Sequence, residues 1–248
     1  AFDSAVRWSK ATAGRQLLRD GELPRSARQG SFRSPIGTPL TTLPLSDRID
    51  LARNACRSLK LDDRIVDWAS WLTTRQIESL FTSSDGAWIS QTFDLIDPGL
   101  RAVAHSGAQT QVRTGGGARG ARQGGLEQLD QLGFHAEGPR VAEEALALLD
   151  ASECPAGVME LLLMPSQMAL QIHESIGHPL ELDRILGDER NYAGTSFVTQ
   201  DMFGNYRYGS PLLNVTFDPS LEGEAASYAF DDEGNAAAHH GRGERGGH

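Results

Sequence analysis

Two histidines and a glutamate lie close together in the second half of this sequence. The segment from Gln171 to His178 reads QIHESIGH, which has the spacing HExxxH. Imidazole nitrogen is a preferred ligand of Zn²⁺, and a carboxylate beside the first ligand can accept a proton from metal-bound water without binding the metal itself. The pattern therefore predicts a hydrolytic metal site in which His173 and His178 bind zinc and Glu174 is the general base.

The two histidines are spaced more widely than a regular helix would align. Ligands at positions i and i+4 share one face of an α-helix, whereas five residues advance about 500°, which leaves the second side chain roughly 140° out of line. Gly177 and Pro179 flank His178, and such residues permit a wide turn, a bulge or a helix end. We therefore predict non-ideal helix geometry between Ile176 and Pro179.

Polar residues beyond the motif offer further candidates. A carboxylate at Glu181 could orient a histidine by accepting a hydrogen bond from its ring. A solvated or salt-bridged helix end near Arg184 explains Glu181 equally well, and it is the better explanation for Asp183. A loop-rich stretch farther on could line a substrate cleft with Tyr192, Asn205, Tyr206 and Tyr208.

The composition excludes several classes of function. A formal charge of −10 repels a phosphate backbone and argues against nucleic-acid binding. No apolar run is long enough to cross a bilayer, so no membrane partner is expected. The opening residues do not resemble a signal peptide, which favours a cytoplasmic location. The two cysteines, Cys56 and Cys154, are far apart and fit neither a disulfide scaffold nor a structural zinc ribbon.

The elements before the motif indicate an α+β fold built on an antiparallel sheet. Residues 1–45 contain four prolines and show no sustained periodicity, which is typical of loops. A helix is predicted to start with Ser46 as its N-cap. Short apolar or alternating runs between residues 64 and 115 predict antiparallel strands, with a hairpin turn at Ser83–Gly86. Glycines between residues 115 and 125 lack a P-loop ending and favour a flexible connection.

Two predicted elements lead directly to the motif. A helix is expected over Gly138–Ala151, with Val141, Ala145 and Leu148 on its apolar face. The run from Val158 to Met164 has the length of a strand, and the next helix, with Ser166 as its N-cap, carries the motif. The metal-binding residues are thus expected at the opening strand and helix of a second domain.

Several segments resemble the TldD/PmbA family of metallopeptidases. LLLMP at 161–165 and HESIGHPLE at 173–181 are similar to the strand, helix and HExxxHxLE signature of its catalytic members. Segments similar to those of the family also occur at 209–215 and 230–234 after the motif, and at the glycine-rich block and AEEALALL before it. They stand in the same order as in that family. The resemblance covers roughly Ser46 to Gly234 and is strongest from Ala142 onward.

The resemblance implies a zinc peptidase that hydrolyses peptide bonds in small or unfolded polypeptides. It assigns Zn²⁺ to His173 and His178 and the general base to Glu174, and it implies a homodimer or a heterodimer with a related subunit. It also implies a third ligand, a cysteine far toward the C-terminus. Cys56 and Cys154 both precede the motif, so neither corresponds to that cysteine.

We therefore divide the chain into four segments. Residues 1–45 are interpreted as a linker or the trailing end of a domain, 46–153 as a central α+β domain, 154–234 as the start of the metallopeptidase domain, and 235–248 as a tail unlike the family. The missing initiator Met and this tail suggest a fragment. A non-catalytic partner subunit, or an inactive fragment of such a peptidase, remains the alternative function.

Overall fold

The computed structural model describes residues 2–14, 27–116 and 120–238, and a long β-hairpin lies at its centre. The strands are β1 (Gln29–Arg33), β2 (Ile65–Thr82), β3 (Trp88–Ser106), β4 (Gln109–Gly116) and β5 (Arg122–Gln123). The α-helices are α1 (Phe2–Thr12), α2 (Leu45–Arg57), α3 (Glu127–Gln131), α4 (Glu137–Leu149), α5 (Pro165–Ile172) and α6 (Leu182–Leu186). The predicted α+β fold is confirmed. None of the described helices is long and apolar enough to cross a membrane.

The hairpin of β2 and β3 joins the predicted short strands into two long ones. The antiparallel pairing runs from Ile65 opposite Ala104 to Thr82 opposite Trp88. At the predicted turn, Gly86 has a φ of +98° and its N–H donates to the carbonyl of Ser83 at 3.2 Å. The turn is therefore confirmed, whereas the predicted strands were too short, because cross-strand pairing continues through the polar positions between the apolar runs.

Strand β3 is the centre of a mixed five-stranded sheet. Strands β2, β4 and β5 pair with it antiparallel, and β1 pairs with it in parallel from Gln29 opposite Trp88. The prediction that residues 1–45 are loops was wrong for α1 and β1. Five residues are too few to show a clear period in the sequence, and β1 is stabilised by a strand far along the chain.

The described part of the glycine-rich run is packed against the sheet. Gly115, Gly120, Gly124 and Gly125 are buried, and the N–H of Gly124 donates to the carbonyl of Asp94 at 2.9 Å. A Cβ atom at Gly125 would collide with the backbone of Thr38. The predicted flexible connection was therefore wrong here, because glycine serves close packing of two backbone segments.

Helices α2 and α4 pack on the sheet and complete the core. Both helices contact the strands, and they also contact each other. Val141 and Ala145 are fully buried on α4, as the apolar face predicted. The N-cap of α2 is Pro44 instead of Ser46, whose hydroxyl donates to the carboxylate of Asp47 at 2.9 Å. The predicted cap was wrong because that hydroxyl bonds to a neighbouring side chain and not to the helix backbone.

The segment before the motif forms neither a helix nor a strand. Residues 158–164 are exposed and pair with no other strand in the described parts of the chain. The predicted strand was wrong because a run of apolar residues needs a neighbouring strand to become part of a sheet. Helix α5 then begins at Pro165, with Met164 as its N-cap, so the N-cap predicted at Ser166 was also wrong.

The chain after the motif returns to the central sheet. The side-chain amide of Gln91 on β3 accepts from the N–H of Phe230 at 3.0 Å and donates to its carbonyl at 2.9 Å. The tail predicted for 235–248 begins with residues 235–238, where Ala236 forms a β-bridge with Phe230. The remainder of that tail lies outside the described residues. The hydrogen bonds of Gln91 thus attach the region that carries the motif to the central sheet.

Candidate metal centre

The HExxxH segment lies where the helix changes its hydrogen-bond pattern. Helix α5 ends at Ile172, a π-helical turn spans His173–Gly177, and a 3₁₀ turn spans His178–Leu180. In the π turn, the N–H of His178 donates to the carbonyl of His173, five residues back instead of four. The predicted departure from α-helix geometry is confirmed, although it already begins at His173.

This wide turn brings the three motif side chains together. The imidazole centroids of His173 and His178 are 4.3 Å apart and their planes meet at 77°. The potential ligand atoms of His173, Glu174 and His178 all lie within 4.8 Å of one another. A turn that bonds residue i to residue i+5 therefore reduces the angular mismatch that a regular α-helix would impose on this spacing.

The three side chains form a group that could hold a metal ion, and their donors are of types that zinc binds. Two donors that each bind zinc at about 2.1 Å can be no more than about 4.2 Å apart, so any pair near the observed limit of 4.8 Å would have to move closer when the metal binds. His173 and Glu174 are exposed and His178 is half-buried, so the group is accessible from solvent. Neither cysteine belongs to a cluster of three potential ligands among the described residues, so the third ligand implied by the resemblance has no counterpart there.

Glu181 contacts His178 just beyond the motif. Its Oε1 lies 2.6 Å from Nδ1 of the imidazole, and its Oε2 accepts a hydrogen bond of 2.9 Å from Nε of Arg184. The pKa of the Glu181 carboxyl lies below its usual range because His178, and then Arg184, donate hydrogen bonds to it. Glu181 thus lies beside both a histidine and an arginine, and its role as a partner of a metal-binding histidine stays a prediction.

Two contacts around the turn were not predicted. The hydroxyl of Tyr208 donates to the carbonyl of Ser175 within the π turn, and Nη1 of Arg184 donates to the carbonyl of Ala193 at 2.9 Å. From the sequence, Tyr208 was expected only to line a substrate cleft. No local pattern could have shown its contact, because the two partners are far apart in the sequence.

The other candidates near the motif have ordinary surface positions. Tyr192 and Tyr206 are exposed, and no hydrogen bond connects them to the motif among those the structure describes. Asp183 is exposed too, and its carboxylate accepts from the N–H of Arg184 at 2.7 Å. This agrees with the surface role favoured for Asp183.

Comparison with known proteins identifies a family. Residues 38–152 match the PmbA/TldA metallopeptidase central domain, and residues 156–241, which include the motif, match the C-terminal domain. A metalloprotease of Methanothermobacter thermautotrophicus is 28% identical over 81% of this chain and 41% of its own length. A metalloprotease TldD homolog of Buchnera aphidicola is 27% identical over 82% of this chain and 41% of its own length. The chain thus spans about two-fifths of these curated relatives.

A solved structure shows the same fold. A Thermotoga maritima protein described as a modulator of a DNA gyrase superposes with a TM-score of 0.63 over 97% of this chain and 51% of its own length. The two sequences are 17% identical, so this likeness concerns the fold alone. With both domains matched in their order along the sequence, the chain belongs to the PmbA/TldA metallopeptidase family.

Proposed function

We propose that this chain carries the metal-binding core of a zinc-dependent peptidase that hydrolyses peptide bonds in small or unfolded polypeptides. The observation that carries the proposal is the π turn, which places the ligand atoms of His173, Glu174 and His178 within 4.8 Å of one another. Family membership and relatives named metalloproteases support the same chemistry. A chance HExxxH sequence on a regular helix would not bring these side chains together.

The three motif residues have distinct roles in this proposal. His173 and His178 hold the zinc ion through imidazole nitrogens. Zinc, when bound, polarises the scissile carbonyl and lowers the pKa of water toward 7. Glu174 accepts the proton of the attacking water and donates it to the departing amine. Glu174 is exposed beside both imidazoles, where a substrate carbonyl and a water molecule have room to approach it.

The surface around the motif suits a polypeptide substrate. Leu170 and Leu180 lie on either side of the motif and are 47% and 50% exposed. Exposed apolar side chains beside a catalytic centre can bind the apolar side chains that an unfolded chain exposes. A folded protein would seldom offer such contacts together with a reachable peptide bond.

A dimer is part of the same proposal. Residues 158–164, which precede the motif, are exposed and largely apolar. Contiguous apolar surface of this kind is usually covered by protein. A second copy or a related chain could cover it, as the family resemblance implies.

Zinc binding by purified chain variants tests the proposal. We expect stoichiometric zinc in the wild type, and its loss in His173→Ala and His178→Ala. His135→Ala is the matched control, because this exposed histidine lies outside the motif and within 3.7 Å of Asp130. Equal zinc contents in all four proteins would refute the metal site.

A non-catalytic partner subunit is the second candidate. It is favoured by the observation that, among the described residues, the motif offers two imidazoles and one carboxylate without a thiolate. Peptide hydrolysis by the zinc-loaded chain distinguishes the two functions. Hydrolysis that Glu174→Gln abolishes supports the peptidase. Stable complex formation with a related subunit, without hydrolysis by this chain's own site, supports the partner.

A further inference from the structure

Arg184 connects the metal-binding turn to the loop that follows it. Its Nε donates to Oε2 of Glu181 and its Nη1 donates to the carbonyl of Ala193, both at 2.9 Å. Only 17% of its side chain is exposed. Because the donors of a guanidinium are arranged in a rigid plane, these two bonds fix the carboxylate of Glu181 relative to the backbone at Ala193.

The carboxylate held in this way determines which nitrogen of His178 carries the proton. The oxygen Oε1 of Glu181 lies 2.6 Å from Nδ1 of His178. An ionised carboxylate can only accept hydrogen bonds, so the ring proton must be on Nδ1, and Nε2 keeps its lone pair. The guanidinium Nη2 is 3.4 Å from Nδ1, and in this tautomer Nδ1 has no lone pair in the ring plane to accept from it.

Glu181 alone would hold this geometry poorly. Its side chain is 38% exposed, and an exposed glutamate loses rotamer freedom when it is fixed in one orientation. The guanidinium offsets the free-energy cost of that loss by donating a charged hydrogen bond to the second carboxylate oxygen. Arg184 is in turn fixed by Ala193, which belongs to a different segment from the motif.

We propose that Arg184 is a positioning residue for the metal centre. It orients Glu181, which holds His178 as the Nδ1–H tautomer and leaves Nε2 available for the metal. The effect on metal affinity rests on the proposed function. The tautomer itself is a property of the metal-free chain, so the two can be tested separately.

Nitrogen NMR of the histidine side chains in the metal-free chain measures the tautomer directly. We expect the neutral ring of His178 in the wild type to be the Nδ1–H form, because Nδ1 lies 2.6 Å from the carboxylate of Glu181. Arg184→Gln should give a mixture of the two tautomers. Arg184→Lys should give an intermediate result, because lysine keeps the charge but lacks the planar fork. Arg190→Gln is the matched control, since Arg190 is an exposed arginine just beyond α6.

Metal affinity provides the second readout. Loss of a group that orients a ligand typically weakens metal binding about 10-fold to 100-fold, and we expect Arg184→Gln to lie near the lower limit. The visible spectrum of bound Co²⁺ should also change in Arg184→Gln and remain unchanged in Arg190→Gln.

The outcomes separate this inference from the proposed function. An unchanged tautomer in both folded Arg184 variants would overturn the inference, whatever the zinc affinity. If Arg184→Gln fails to fold, Arg184→Lys decides the result in the same way. If the tautomer shifts in the Arg184 variants while the wild-type chain shows no zinc affinity, the positioning role is upheld and the metal site is refuted.

Discussion

The carboxylate of Glu127 connects the backbone that follows strand β1 to the glycine-rich segment. Its replacement offers a quantitative test of the fold. Its Oε1 accepts from the N–H of Gly37 at 3.0 Å and of Gly125 at 2.7 Å, and its Oε2 accepts from the N–H of Thr38 at 2.8 Å. Burial raises the pKa of this carboxyl, but hydrogen bonds from these three N–H groups and from the N–H of Glu127 itself outweigh burial and lower the pKa from 4.5 to about 2.

Replacement by glutamine should destabilise the protein, because the amide group would turn an N–H donor toward one of these N–H groups. A pKa lowered from 4.5 to about 2 sets a ceiling of about 3.4 kcal/mol, at about 1.36 kcal/mol for each pH unit. The side chain is only half-buried, so solvent screening reduces the expected loss for Glu127→Gln to about 1 to 2 kcal/mol. That loss corresponds to a fall in Tm of about 2 to 8 °C.

Thermal unfolding at several pH values measures this effect. A lowered pKa contributes stability that is fully present above the unfolded value of 4.5 and is lost as the pH falls through about 2. The difference between wild type and Glu127→Gln should therefore be largest near neutral pH and shrink below pH 4.5. Glu143→Gln, an exposed change on α4, is the control. A Glu127→Gln protein as stable as this control at neutral pH would refute the reasoning.

Three further changes test other parts of the molecule. Glu174→Gln should retain zinc and reduce peptide hydrolysis by about 10²-fold to 10⁴-fold, measured by zinc content and initial rates, if Glu174 is the general base and not a ligand. Tyr208→Phe removes the hydroxyl that contacts Ser175 in the π turn; calorimetric titration should show weaker zinc binding, while retained affinity would exclude a role for this contact. Gly125→Ala should lower the free energy of unfolding in urea by more than about 1 kcal/mol, because its Cβ would meet the Thr38 backbone.

The features that the sequence predicted correctly depend on local patterns. Gly177 and Pro179 indicated a break in helix geometry next to His178, and the structure has a π turn followed by a 3₁₀ turn there. Helix α4 was predicted within two residues at each end, because its apolar residues recur at helical spacing. Glu181 was selected because it lies just beyond the motif, where a carboxylate could orient a histidine, and that role stays a prediction.

The features that the sequence did not predict depend on distant partners. Strand β1 exists because β3 lies beside it, and the apolar run at 158–164 lacks such a neighbour among the described residues. The contact between Tyr208 and the π turn joins two segments whose proximity only the folded chain establishes. Apolar patterning thus indicates which segments could be buried, while the packed structure decides which of them find a partner.

The most direct test of the metal-site assignment is the X-ray absorption spectrum of the zinc-loaded chain, compared with that of His178→Ala. We expect two imidazole ligands at about 2.0 to 2.1 Å in the wild type and one fewer in the variant. A zinc environment without imidazole, or one that the substitution leaves unchanged, would contradict the assignment of His173 and His178 as ligands.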